Sequence, residues 1–265
     1  MINSLYNKIA KKFYGTGISK YKIIRESHNL LTKKIGVKQI EIFGFQMHLD
    51  KNDEGGYSLI NPEKNNELNE IKKYINEGDI VVDIGANIGF FTLFFRSIVG
   101  KKGKVISFEP EIKNYEVLKK NVEINNLENV KCYRYAIGSE KKELRLNVSE
   151  FTGQHNIDDS GEIKVECFPL DDVVKNVNFI KIDTEGYEVQ VLNGMKQLLK
   201  NKPIIVLEFY YKLLKKYNEP REIFTILSKY NYEFFDLRNN MKINSIDEFL
   251  SKYNFKSPAT DILCK

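Results

Sequence analysis

The chain has little that would place it outside a cell or across a membrane. No apolar run approaches the roughly 18 residues needed to span a bilayer, and the start lacks the apolar core of a signal peptide. Only three cysteines occur, Cys132, Cys167 and Cys264, far apart and with no CxxC pair. That usage suits a reducing cytoplasm and argues against a structural zinc site. Internal repeats and low-complexity tracts are absent, and so is the phosphate-cradling pattern G-x-x-x-x-G-K-[ST]. A cytoplasmic globular protein is the expectation.

What is present fits that class. Over 265 residues, 42% are hydrophobic and 29% charged, enough apolar material for a full core. The net charge of +5 is unevenly spread. Residues 1–39 hold nine Lys/Arg against Glu26 alone, or +8, and the remainder holds 32 basic and 35 acidic residues, or −3. The basic character therefore belongs to the N-terminus, and no nucleic-acid partner is expected of the core. Ile2, Leu5, Tyr6, Ile9 and Phe13 recur at helical spacing while Lys8, Lys11 and Lys12 fall elsewhere on the wheel. Such a helix, within a helical stretch 1–35, suits packing on the protein's own body or on a second subunit in a homodimer. It also suits peripheral contact with an anionic membrane surface.

"KQIEIFGFQMHLDKNDEGGYSLI" reads as two short strands folded about Gly44, then a loop with Gly55-Gly56. Residues 66–77 predict a helix ending at Gly78. Strands then alternate with helices: strands at 80–84, 104–108, 130–135, 179–182 and 203–208, helices near 88–98, 112–125, 187–200 and 219–230. This alternation predicts an α/β fold, a Rossmann-like parallel sheet covered on both faces. A polar insertion with β-like pieces separates the third and fourth strands, and "YEFFDL" and "TDILCK" form two terminal strands.

In such sheets ligands bind beyond the carboxyl ends of the strands. Those ends carry Asp83, Gly85, Asn87 and Gly89, then Glu109 and Pro110, then Ala136 and Gly138, then Asp183, Thr184, Glu185 and Gly186, and last Glu208. The glycines permit a sharp turn and close approach of a ligand to the backbone. Glu109 lies 26 residues after Asp83 (109 − 83), near the offset at which an acid reads ribose hydroxyls in a βαβ unit. A nucleoside-bearing cofactor follows. A dinucleotide does not, because Gly85 and Gly89 are four apart and Asp83 would repel a pyrophosphate ahead of the helix. A carboxylate there suits a cofactor with a cationic part, an α-amino group or a sulfonium.

"VVDIGANIGFFTLFF", "VISFEPEIKNYEVLKKNVEINNLENV", "YAIGS", "PLDDVV" and "FIKIDTEGYEVQVLNGMKQLL" followed by "PIIVLEF" resemble the FkbM-type S-adenosylmethionine-dependent methyltransferases. The resemblance runs from about Gly78 to "DILCK". It implies a class I methyltransferase fold, a doubly wound sheet of seven mostly parallel strands with "TDILCK" antiparallel. It divides the chain into an N-terminal helical and β-hairpin extension, 1–77, and an S-adenosylmethionine-binding domain, 78–265. It also implies methyl transfer, commonly to a hydroxyl of a sugar or secondary metabolite. By position, Asp83, Gly85, Ala86, Asn87 and Gly89 would surround the methionine part of the cofactor and Glu109 would hold the ribose. Tyr135 to Gly138, with Ala136 among them, would border the adenine. Tyr135 stands where many methyltransferases place an acid.

An alcohol acceptor is a weak nucleophile, so a base is expected. Three residues compete for the role. Asp183 and Glu185 follow the fourth strand, although Glu185 could instead cap the next helix. His155 lies on the polar insertion and is suited to accept a proton near pH 7. His28 and His48 read as structural or surface residues. Asp183 with Glu208 could hold Mg²⁺, but two acids at separate strand ends make an incomplete site, so no metal is expected. The rival classes are a nicotinamide-dependent oxidoreductase, disfavoured by the glycine spacing, and a nucleoside-binding protein without turnover.

Overall fold

A computed structural model describes residues 38–49, 61–147, 156–157 and 160–265. The expected N-terminal helix, the Gly55-Gly56 loop, His28 and His155 lie outside the described residues.

The first described element is a hairpin, β1 (Gln39–Ile42) and β2 (Phe45–His48), turning through Phe43 and Gly44 at positive φ. After α1 (Asn66–Lys72) the alternation begins with β3 (Ile80–Ile84), α2 (Phe90–Val99), β4 (Lys104–Phe108), α3 (Ile112–Glu123) and β5 (Val130–Tyr133). The insertion forms β6 (Ala136–Ile137), β7 (Lys142–Asn147), β8 (Asn156–Ile157) and β9 (Ile163–Phe168). Then come α4 (Leu170–Val173), β10 (Phe179–Ile182), α5 (Glu188–Asn193), α6 (Lys196–Lys200) and β11 (Ile204–Phe209). The chain closes with α7 (Tyr211–Tyr217), α8 (Glu222–Ser228), β12 (Phe234–Asp236), β13 (Met241–Lys242), α9 (Ile246–Lys252) and β14 (Thr260–Cys264).

The main sheet runs β13-β12-β14-β11-β10-β3-β4-β5. The five strands from β11 to β5 are parallel, while β14 is antiparallel to both its neighbours. These are the seven strands expected, with "TDILCK" reversed, plus the two-residue edge strand β13. Strand order reverses between β3 and β10, so the carboxyl ends of these strands part to leave a crevice.

Alternation along each strand feeds two separate cores. Val82, Ile84, Ile180, Ile182, Ile205 and Leu207 pack on one face. Val81, Phe179, Val206 and Leu263 pack on the other, with α2 and the hairpin residues Ile40, Ile42 and Met47. The hairpin is tied down by α3 and the turn that follows it. His48 N–H donates to Asn121 Oδ1 at 2.6 Å, and Gln46 N–H to Asn125 Oδ1 at 2.8 Å.

Three local expectations are revised. The strand expected over 130–135 stops at Tyr133, and Ala136–Ile137 leaves to join the second sheet, β6-β9-β7-β8. The single helix expected over 187–200 is two, α5 and α6, broken at Gly194. A Cβ on Gly194 would stand 1.8 Å from the Gly138 carbonyl oxygen, so that close approach interrupts the helix. The helix expected to reach Gly78 ends at Lys72.

Candidate active site

Beyond the strand ends lies a cavity of about 270 Å³, near the small end of ligand pockets. Gly85, Ala86, Asn87, Glu109, Ala136, Asp183, Glu185 and Glu208 all line it. Asp83 and Gly89 do not. The strand-to-helix turn explains both placements.

Gly85 and Ala86 N–H groups each donate to the Phe108 carbonyl at 3.0 Å, folding the turn back on β4. Gly85 has φ +80°, and an added Cβ would lie 1.8 Å from the Asp183 carbonyl oxygen. Its missing side chain is therefore demanded first by the approach of β3 to β10. Asn87 at φ +50° turns its N–H to Glu109 Oε2 at 2.8 Å. Gly89, at φ +97°, precedes the first turn of α2 and packs against Leu118. Its expected place around the cofactor is thus a helix start.

Asp83 was expected to face a cationic ligand and is instead fully buried beneath the turn. Its Oδ2 accepts from Thr92 Oγ1 at 2.6 Å, and Thr92 Oγ1 lies 2.8 Å from Ser107 Oγ. Its Oδ1 has no hydrogen-bond partner among the described residues. Burial pushes its pKa up to about 6. The physical reason is strand alternation, since Asp83 shares the face of Val81 and points into the layer under α2.

Glu109, expected at the ribose, lines the cavity. Its Oε1 accepts from the Glu111 N–H at 2.9 Å, opposite the Asn87 contact on Oε2. Two backbone donors thus aim the carboxyl and leave lone pairs for a diol. Burial pushes its pKa to about 8, against those two donors and with the charges of Glu111 and Asp83. Beside it Tyr135 stands in an aromatic group. Its ring lies 4.7 Å from that of Phe168 and 5.3 Å from Tyr133, which stacks on Phe108.

At the far wall Asp183, Glu185 and Glu208 bring carboxylate oxygens within 4.8 Å of one another. The pair Asp183 and Glu208, too few for a metal site from the sequence, is joined here by Glu185. Oxygen donors of this kind suit a hard divalent cation. The helix-capping use open to Glu185 falls to another residue: Glu188 Oε1 accepts from Thr184 N–H, Thr184 Oγ1 and Gly186 N–H at 3.0, 2.9 and 3.2 Å. Glu185 itself sits at φ +54° and lines the cavity. Burial, then the charges of Asp183 and Glu188, push its pKa to about 8. Burial and the same acidic neighbourhood hold Glu208 well above the ordinary carboxylate range.

Lys181 was not singled out by sequence reasoning, yet it lines the cavity and pairs with Asp183. A charged residue inside the otherwise apolar strand "FIKI" was the available signal. The remaining wall is apolar and aromatic, with Phe90, Phe91, Leu146, Ile157 and Tyr187. His48, read as a structural or surface residue, lies on β2.

A doubly wound sheet with a glycine turn after its first parallel strand and a buried, backbone-anchored acid after its second defines the class of the fold: a Rossmann-like α/β domain. The sequence pattern of the methyltransferase FkbM domain matches residues 83–234, more than half of the chain, and the chain belongs to that family. It is 25% identical over 160 residues to hexuronic acid methyltransferase AglP of Haloferax volcanii, covering 58% of this chain and 63% of the relative. With Methyltransferase 1 of Beauveria bassiana it shares 25% identity over 148 residues, 45% of this chain and 59% of the relative. The chain thus spans about six-tenths of the length of these curated relatives. A methyltransferase FkbM from Methylobacillus flagellatus superposes with a TM-score of 0.47 at 16% identity, over 72% of this chain and 44% of that one. Among the described residues, no helix is long and apolar enough to cross a membrane.

Proposed function

We propose that this protein is an S-adenosylmethionine-dependent O-methyltransferase acting on a hydroxyl of a sugar or related small molecule. The observation that carries the reading is the cavity's polarity, with a twice-anchored carboxyl at Glu109 on one side and Asp183, Glu185 and Glu208 on the other. The residues fit the cofactor. Glu109 would accept the ribose hydroxyls, the Gly85–Ala86–Asn87 turn would pass along the amino-acid part, and Tyr135 and Ala136 would border the base.

When bound, the cofactor supplies a methyl group on a sulfonium, a good leaving group. The chain's own part is to hold the acceptor oxygen in line, worth up to roughly 7–11 kcal/mol in favourable cases. Asp183 is the proton acceptor we assign, because Glu185, with its pKa near 8, is held protonated at neutral pH. Taking the hydroxyl proton contributes a further 10²–10⁴-fold, roughly. Phe90, Phe91, Leu146, Ile157 and Tyr187 keep water from the reacting atoms. AglP is named for a hexuronic acid, and that supports a sugar acceptor here.

Calorimetry with S-adenosylhomocysteine and with NAD tests the cofactor; binding of the first and not the second is expected. Transfer of labelled methyl to methyl hexosides and methyl hexuronosides tests the chemistry. Binding of NAD alone, or cofactor binding without transfer to any hydroxyl compound, would refute the reading.

A further inference from the structure

Lys181 is a costly residue in its position. It lies on β10 in register with Asp83 of β3 and Val206 of β11, at the centre of the sheet, and its side chain is 4% exposed. The other residues of β10, Phe179, Ile180 and Ile182, are apolar and fully buried. An apolar side chain would serve packing alone, and a buried charge is costly unless it is paired. The lysine is therefore to be explained by the carboxylates around it.

What the lysine does is visible in its contacts. Its ammonium donates to Asp183 Oδ2 at 2.7 Å and stands 4.3 Å over the Phe91 ring. Burial opposes its charge, but the carboxylates of Asp183, Asp83 and Asp261 outweigh that and hold its pKa above the ordinary lysine value. It stays an ammonium and cannot itself take a proton from an acceptor. It is also the only cation among the described residues that line the cavity. Among the described residues Asp183 has one side-chain hydrogen bond, this one, and its side chain is 33% exposed toward the cavity.

We propose that Lys181 is a positioning residue that pins Asp183 by Oδ2, so that Oδ1 is the oxygen presented to the acceptor hydroxyl. Asp83, buried behind it with no partner for Oδ1 among the described residues, supplies counter-charge from the neighbouring strand. The first motif, around "DIGANIG", and the later one, "KIDTEGYE", are thereby coupled across β3 and β10. The inference rests on the methyltransferase reading above. Without the tether, the Asp183 side chain would sample its rotamers freely, and the loss falls on the chemical step and not on cofactor binding.

The test compares wild type with Lys181→Met, Lys181→Arg, Asp183→Asn and the double variant Lys181→Met/Asp183→Asn. Methyl transfer is followed with labelled cofactor and a methyl hexoside or hexuronoside, and S-adenosylhomocysteine affinity is measured by calorimetry. Lys181→Met is expected to lower kcat by about 10²-fold, with KM for the cofactor within about twofold, and Lys181→Arg to regain at least about tenfold. The double variant is expected to be no slower than Asp183→Asn alone. A Lys181→Met enzyme with wild-type kcat, or one whose loss is entirely in cofactor affinity, overturns the proposal. Carboxyl ¹³C NMR of the free protein keeps it testable if no acceptor turns over, an outcome that would count against the methyltransferase reading instead. The Asp183 resonance, identified with Asp183→Asn, should move and broaden in Lys181→Met, and an unchanged line would overturn the tether.

Discussion

Replacing Glu109 by Gln separates the two demands made on that side chain. In the free protein the carboxyl is 5% exposed and its pKa rises from 4.5 to about 8. At 1.36 kcal/mol per tenfold change, that elevation corresponds to about 5 kcal/mol of penalty for holding the charge in the buried site. The folded state binds the proton more tightly than the unfolded state between pH 4.5 and about 8, so stability is lost as pH rises through that window. Gln carries no charge and escapes the penalty, but it has one acceptor oxygen for the two N–H groups of Asn87 and Glu111. Leaving one unsatisfied costs about 1–3 kcal/mol, so the net gain at pH 8.5 is about 2–4 kcal/mol. At roughly 2–4 °C per kcal/mol, Glu109→Gln should melt roughly 4–16 °C above wild type at pH 8.5. The two curves should cross as pH falls, and at pH 5, where wild-type Glu109 carries a proton, the variant should melt at or below wild type. At pH 8.5, where wild-type Glu109 is charged, cofactor binding should move the other way, because a charged acceptor to the ribose hydroxyls is lost. At about 1.5–3 kcal/mol, S-adenosylhomocysteine should bind roughly 10–150-fold more weakly. Thermal melts from pH 5 to 8.5 and calorimetry read both effects. Parallel melting curves for the two proteins, or wild-type affinity in the variant, would falsify this account of Glu109.

Gly85→Ala should destabilise by at least about 3 kcal/mol in urea unfolding, from left-handed backbone strain and a clash with the Asp183 carbonyl; a variant as stable as wild type would remove the close approach of β3 and β10. Tyr135→Ala should weaken S-adenosylhomocysteine binding by about 1 kcal/mol while Tyr135→Phe retains it, because ring contact and not the hydroxyl borders the base. The opposite order of the two variants would assign the work to the hydroxyl. Excess EDTA should leave methyl transfer within about twofold of the untreated rate; a loss restored by Mg²⁺ would give the Asp183, Glu185 and Glu208 cluster to a cation instead.

Much of the fold was legible because its signals are local. β3, β4 and β10 fall on the predicted residues, and the first helix after β3 starts two residues later than predicted. Apolar runs bounded by glycine and charge need no partner to be recognised. Helices α7 and α9 were not read, since "YKLLKKY" and "IDEFLSK" are short and their apolar residues are few. The insertion was read as β-like pieces, but its pairing as β6-β9-β7-β8 depends on partners distant in the chain.

The sequence by itself determined the strand ends, the glycine turn, the acid at Glu109 and, with them, the family. It did so because each is a short pattern whose chemistry is carried by residue type and spacing. Only the tertiary structure decided what each acid faces. Strand alternation and register turned Asp83 inward beside Lys181, moved Glu185 and Glu208 to within reach of Asp183, and left the turn-tying work to Glu188. A carboxylate's role depends on burial and on which charge stands across the sheet, and those are set by strands far apart in the chain.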